Sequence, residues 1–224
     1  MSWSTTFSRF NPGSLPLVGP VVVRVADWSK PQPGIAPVFE RPPFLERFSM
    51  AHPAVPFSVF FPLGIYTAWR GWASGYTVLE VMGAYLLGLF IWTATEYAFH
   101  RGTFHHEPNS EGQVAYAYMM HGCHHAYPDD ARRWVMPLIV SVPLSSAIYL
   151  LIRYVCGPVG NPIFGGFIHG YLCYDLLHYF IHRGRMPGRL GRYLRQYHLA
   201  HHYSKLDQHY GVTSPLWDVV FRTR

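Results

Sequence analysis

Pro162-Ile-Phe-Gly-Gly-Phe-Ile-His-Gly-Tyr-Leu-Cys-Tyr-Asp-Leu-Leu-His-Tyr-Phe-Ile-His182 carries one formally charged side chain, Asp175, and closes on the pair His178 and His182. As a helix it is long enough to cross a bilayer, because ~20 apolar residues cover the ~30 Å of hydrocarbon. Residues four apart share a helix face, so its last turn presents two imidazoles side by side where the apolar solvent ends. An apolar helix that delivers histidines at its end is the unit on which the rest of the chain is built.

Three further stretches have the same length and character: residues 55–72 (Pro62 being tolerable as a kink), 77–98 and 135–155, with 162–181 as the fourth. Half of the residues are hydrophobic and only 13% are charged, against about 25% in an ordinary soluble domain. Helices of a soluble bundle at this length would show a polar face, and these do not. The expectation is an all-α membrane protein: four transmembrane helices and a cytosolic helical cap. Residues 1–54 form an N-terminal cytosolic or interfacial arm, and residues 55–224 form the main domain, which holds the four spans and the cap. The arm is Pro-rich, with a short strand expected at Val21 to Val25 and a short interfacial helix at Pro42 to Met50, bearing Phe44, Leu45 and Phe48 on one side. Little chemistry is expected of it. Residues 1–20 lack the charged start, apolar run and small-residue cleavage site of a signal peptide. Cys123, Cys156 and Cys173 show no paired spacing and imply no disulfide framework.

The net charge of +6 does not indicate nucleic acid, since no aromatic-basic interleaving or binding motif accompanies it. Its distribution gives orientation instead. Arg70 and Arg153 lie near the two short connections, 71–76 and 156–161; the other sixteen Lys and Arg lie in the arm, the 100–134 loop and the segment after His182. An excess of Lys and Arg marks cytoplasmic segments, which places these three regions in the cytosol.

Ten of the fourteen histidines fall in four groups on that side: His100 and His105; His121, His124 and His125; His178 and His182; His198, His201 and His202. Two groups read H-x-x-H-H, and i, i+3 and i+4 share a helix face with Cβ atoms about 5–6 Å apart. His100 and His105 diverge by about 140° on a regular helix. They meet only if the helix ends or unwinds near Arg101-Gly102. The groups also repeat: Glu96-x3-His100 precedes His121-x-x-His124-His125, and Asp175-x2-His178 precedes His198-x-x-His201-His202. Two halves point to two metal ions, with about five imidazoles each and exchangeable positions left over. Imidazole holds iron, zinc, copper and nickel alike. Attack on an unactivated C–H bond needs a redox metal, so iron is expected for activity, with zinc a metal the same cage can also hold. Glu96 and Asp175 are carboxylates inside membrane segments, where such groups are costly and usually functional. They are expected to accept N–H groups of the liganding histidines. His169 reads as structural, while His52, His106 and His209 fall outside the spacings. Cys123 points off the histidine face. His106-Glu107 does not begin a metalloprotease motif, because residue 110 is Ser. A histidine-rich metal transporter would place its ligands in mid-membrane, whereas these sit at helix ends.

The chain resembles the fatty acid hydroxylase superfamily, and within it the sphingolipid fatty acid 2-hydroxylases. The resemblance rests on Ile91-Trp-Thr-x-x-Glu96-Tyr-x-x-His100-Arg, on His121-Gly-Cys-His-His125-x-x-Pro128-x-Asp130-x-x-Arg133-x-Val135-x-Pro137, on Tyr174-Asp175-x-x-His178-Tyr-x-x-His182 and on Tyr197-His198-Leu-x-His-His202. The tail Gly211-Val-Thr-Ser-Pro-Leu-Trp217-Asp218-x-Val220-Phe221-x-Thr223 completes it. It implies a dimetal monooxygenase hydroxylating C2 of a long or very long acyl chain on ceramide or its precursor, with the ten histidines as ligands and Glu96, Asp175 and Asp130 as their outer partners. It also implies O2 as oxidant and cytochrome b5 as electron donor; in a eukaryote the enzyme would lie in the endoplasmic reticulum. The arm carries no haem-ligating His-Pro-Gly-Gly, so the resemblance is to short forms that use a separate cytochrome b5. The basic run Arg183, Arg185, Arg189, Arg192, Arg195 and Lys205 has the charge to steer an acidic partner. His106 and His209 stand where relatives commonly have apolar or small residues. Desaturases, sterol oxidases and carotenoid hydroxylases share the histidine pattern and remain alternatives.

Overall fold

The computed structural model describes residues 9–204 and 208–224; Lys205 and the start of the chain lie outside them. The described residues are mostly helical. Helix α1 spans Ala54–Ala73, α2 Val78–Phe99, α3 Glu111–Ala117, α4 Cys123–Ala126, α5 Leu138–Cys156, α6 Gly160–His182, α7 Gly188–Tyr203 and α8 Leu216–Val220. Two helical stretches, Val78–Phe104 and Ala131–His182, are long and apolar enough to cross a membrane. A third joins them if the bent pair Pro43–Ser49 and Ala54–Ala73 counts as one span. This is the architecture of a membrane protein.

Helix α6 is the axis of the apolar part. Seventeen of its 23 residues are buried, while α2 and α5 leave large apolar side chains such as Leu79, Leu86, Phe90, Leu150 and Val155 outward. Small residues let the backbones approach, which is how helices associate in lipid. A Cβ on Gly166 would lie 1.8 Å from the Tyr85 carbonyl oxygen, and one on Gly88 1.9 Å from that of Ile163. The α1 side is seated the same way: His169 fills the notch at Gly64, with its ring nitrogens on the Phe61 carbonyl (2.9 Å) and the Tyr85 hydroxyl (2.5 Å). That is a structural histidine joining three helices. Helix α2 starts on a capping box, the Thr77 hydroxyl and the Glu80 carboxylate each taking the other's backbone N–H. Helices α5 and α6 fold back on one another at Gly157 (φ +60°). Tyr149 consequently meets Phe164, 4.9 Å between ring centroids, and bonds Asn161.

The arm departs from the all-α expectation. Strands β1 (Gly13–Val18), β2 (Val21–Val25) and β3 (Phe39–Arg41) form an antiparallel sheet in that order, so the strand expected at 21–25 has two partners. Val21-Val-Val-Arg-Val25 is β-branched at four positions, and such residues fit a pleated, half-buried surface. Val23 and Val25 point inward with Leu15, Trp28 and Val38, and pack on Val114, Ala115, Tyr118 and Cys123. Cys123 is thus part of this core. The helix expected at Pro42 to Met50 is a 3-10 helix over Pro43–Ser49. It is held by buried Arg133, which bonds the Ser49 carbonyl, Ala36 carbonyl and Glu46 carboxylate.

Candidate metal centre

The four histidine groups of the sequence become two in space. His100, His105, His121, His125 and His201 form one; His124, His178, His182, His198 and His202 form the other. Each residue offers one nitrogen, and within each group these nitrogens all lie within 4.8 Å of one another. All ten sequence candidates are therefore brought together, five and five. His52, His106, His169 and His209 join neither group.

Local backbone explains the convergence. At the end of α2 the chain widens into a π-turn, His100–Phe104, and the His105 N–H bonds the His100 carbonyl at 3.2 Å. A turn closed from i+5 to i returns His105 to the face of His100, which a regular helix would not do. The unwinding expected at Arg101-Gly102 is this wider turn. A second π-turn, Tyr118–Gly122, carries His121; such turns concentrate at functional sites. Each H-x-x-H-H run then divides. His121 and His125 face the first group and His124 the second, while His198 and His202 face the second and His201 the first. The two runs exchange their middle histidines, and the His125 and His202 rings stack 4.1 Å apart between the groups.

Facing nitrogens test whether a metal fits. Nε2 of His121 lies 3.0 Å from Nε2 of both His100 and His125. Nε2 of His198 lies 3.1 Å from that of His182 and 3.0 Å from that of His202, which is also 3.0 Å from Nε2 of His124. A neutral imidazole Nε2 has one in-plane site, a proton or a lone pair, and cannot serve two such contacts as hydrogen bonds. Two nitrogens each about 2.0–2.1 Å from a common metal and at a near-right angle stand about 3 Å apart. On the far side of the rings, Nδ1 of His178 donates to the Trp134 carbonyl (2.6 Å), Nδ1 of His201 to the Gln208 carbonyl (2.8 Å) and Nδ1 of His100 to the Tyr210 carbonyl. Those bonds fix the tautomer and leave Nε2 as a lone pair. Nε2 of His178 and of His201 is buried with no hydrogen-bond partner among the described residues. A cation fits both groups.

Burial keeps these rings neutral, the form in which an imidazole can bind a metal. It holds His201 down at about 4 and pushes His121, His124, His125, His198 and His202 well below the usual imidazole range, with neighbouring imidazoles adding to the effect.

The carboxylates do something other than expected. Glu96 accepts the backbone N–H groups of Val212 (2.6 Å) and Thr213 (2.9 Å) and the Thr213 hydroxyl. Asp175 accepts the Met136 N–H at 3.4 Å. Asp130 binds Arg132 and the Ala36 N–H. Among the described residues none of the three bonds a histidine; the acceptors behind the rings of His178, His201 and His100 are the carbonyls of Trp134, Gln208 and Tyr210. Backbone carbonyls have no sequence signature, so this was not legible.

The arm contributes more than expected. A cavity of about 350 Å³ lies between the sheet, the 3-10 helix and the start of α5. Leu17, Val18, Leu45 and Phe48 line its outer side, and His121, His124 and His178 its inner end. Phe104, Met136 and Tyr174 separate it from a smaller space of about 40 Å³ within the apolar helices. Alternating Val and Leu positions give a strand, not a cavity wall, and the sequence held no other signal of this role.

A histidine cage of this form at the end of apolar helices, opening on an apolar cavity, is the site of a metal-dependent lipid-modifying enzyme of the membrane. The chain belongs to the fatty acid hydroxylase family, whose model matches residues 85–223. It is 34% identical over 171 residues to a dihydroceramide fatty acyl 2-hydroxylase of Arabidopsis thaliana, covering 76% of this chain and 72% of that one. It is 41% identical over 146 residues to the ceramide very long chain fatty acid hydroxylase scs7 of Schizosaccharomyces pombe, covering 62% and 41%. Its fold is similar to the solved structure of full length scs7p, where only the hydroxylase domain is visible: TM-score 0.78, 34% identity, 85% of this chain and 72% of that chain.

Proposed function

We propose that this enzyme hydroxylates carbon 2 of a long or very long acyl chain carried by ceramide or its precursor. One observation carries the proposal: two adjacent groups of five histidines, all buried except half-buried His105 and His182, adjoin an apolar cavity whose lining includes His121, His124 and His178. The named activities of its relatives select the carbon and the lipid class. The overall reaction consumes O2, two electrons and two protons, replaces one C2 hydrogen by hydroxyl and releases water. When bound, a pair of redox metals supplies the oxidising power for that C–H bond, and iron is the metal proposed for activity.

The protein's own groups do the rest. His100, His105, His121, His125 and His201 hold one ion; His124, His178, His182, His198 and His202 hold the other. Leu17, Leu45, Phe48 and Val140 keep water from the acyl chain and align it so that C2 reaches the wall formed by His121, His124 and His178. Within the arm, 1–54, Leu17, Val18, Val21, Phe39, Leu45, Phe48 and Ser49 close this cavity against the catalytic domain, 55–224. The chain crosses the membrane four times, a reading supported by the α5–α6 fold-back and by the placement of Lys and Arg. The histidines then face the cytosol, in the endoplasmic reticulum of a eukaryotic cell. A separate cytochrome b5 supplies electrons, and exposed Arg183, Arg185, Arg189 and Arg192 offer an acidic donor a docking charge.

The test is mass spectrometry of sphingolipids from cells that lack 2-hydroxylation, with and without this chain. Appearance of 2-hydroxy acyl ceramides, and their loss in His124→Ala and His201→Ala, is the expected result. Desaturated or sterol products with no 2-hydroxy acyl chains would instead select another lipid oxidation.

A further inference from the structure

Four consecutive backbone N–H groups, those of Tyr210, Gly211, Val212 and Thr213, end on two buried carboxylates. Asp218, fully buried, takes Tyr210 (2.9 Å) and Gly211 (2.7 Å), and also the Thr223 hydroxyl (2.8 Å). Glu96, 4% exposed on α2, takes Val212 and Thr213. The segment is pinned to one face of α2 at two more points: Trp217 donates to the Thr93 hydroxyl at 3.0 Å, and Phe221 stacks on Tyr97 at 5.2 Å. Charge-assisted bonds in a water-excluded place are the strong ones, and here they fix a backbone instead of a ligand ring. That backbone carries the two carbonyls, Gln208 and Tyr210, on which Nδ1 of His201 and of His100 rest. Both of those histidines belong to the same group of five. The other group draws its carbonyl from Trp134, in a different part of the chain.

We infer that the 208–223 segment is a clamp for one metal position only, and that Glu96 and Asp218 are positioning residues acting through the Tyr210 and Gln208 carbonyls on His100 and His201. The inference rests on the ligand sets proposed above. Losing the clamp frees the two rings to rotate and change tautomer, which weakens the first group and leaves the second intact. Outer partners of metal-bound histidines typically govern about 10–100-fold in metal affinity.

The experiment is metal content per chain in purified, folded protein after dialysis against a weak chelator. Two variants disturb the clamp, and a third is a conservative change that should preserve it. Asp218→Asn puts an amide N–H where Asp218 now accepts backbone N–H groups. Gly211→Ala removes no charge, but its Cβ would fall 2.0 Å from the Ser214 carbonyl oxygen, so the segment must move. Glu96→Gln keeps an amide oxygen for the Val212 and Thr213 N–H groups and lets the Thr213 hydroxyl turn to accept. Wild type and Glu96→Gln should retain two metals per chain, Asp218→Asn and Gly211→Ala one. Combining Asp218→Asn with His182→Ala should remove both metals, and combining it with His105→Ala should still leave one. Retention of two metals in Asp218→Asn and Gly211→Ala overturns the clamp, as does equal loss from both groups. A wild-type chain with no metal, or His182→Ala and His105→Ala chains that each keep two, overturns the ligand sets themselves.

Discussion

His124 and His201 each serve the group opposite to that of their neighbours in sequence. On a helix, i and i+4 lie about 40° apart to one side, while i+3 falls about 60° to the other, so the middle ring of H-x-x-H-H is the one free to cross. Spacing showed that three imidazoles share a face; it could not show that the face straddles two sites. Losses should therefore follow space. His201→Ala and His105→Ala each remove the same metal, so the double variant loses no more than either alone, whereas His201→Ala with His182→Ala loses both. Metal content of the purified variants checks this, and loss that follows the sequence groups would contradict it. Acid should act in a definite direction too. Burial holds His201 at about 4 and keeps its cap neighbours down, while unfolded imidazoles titrate at about 6.5. Below that pH the unfolded chain binds more protons than the folded one, so stability is full above about pH 6.5 and falls as pH drops toward 4. Metal is released in the same direction, since only the neutral ring binds it. The unfolding midpoint in detergent should fall steadily over that window; a flat profile would be inconsistent.

Helix α6 was legible from its apolar run and terminal histidines, and α2 from its apolar run. Two features of these elements were not. The His100 and His105 spacing demanded a break in the helix but not a π-turn, because α and π closure differ by one hydrogen bond that no side chain announces. The glycines of α6 carried no label either: a Gly in an apolar helix reads as permissive until its neighbour is known. Gly166 faces the Tyr85 carbonyl, and a side chain there has to part α2 from α6. Gly166→Val should destabilise the protein by about 1–3 kcal/mol or more, the range for overpacking, with metal lost as the helices separate. Gly83, with nothing near its Cβ position, is the control, and Gly83→Ala should leave the thermal midpoint unchanged or raised. Equal effects at both positions would contradict the crossing described.

At the scale of the molecule, the low charge and long apolar runs made a membrane protein legible, and the four histidine groups made a candidate metal centre legible. The arm was where sequence reading fell short. Its valines indicated a strand, but partner 13–18 contains Gly13 and Pro16 and partner 39–41 is only three residues long, so the sheet had a weak local signal. Its role in the cavity follows from the packing of that sheet, so it was invisible beforehand. Leu45 and Phe48 line the cavity away from the histidines. Leu45→Trp should narrow it, lowering hydroxylation of the longest acyl chains more than of short ones with metal content unchanged. A uniform fall across chain lengths would instead mean that the arm serves folding alone.

If the ten histidines form two cation sites side by side, anomalous diffraction at the absorption edge of the bound metal should show two peaks. One is expected amid His100, His105, His121, His125 and His201, the other amid His124, His178, His182, His198 and His202. A single peak shared by all ten rings, or metal bound away from them, would contradict the two-site arrangement.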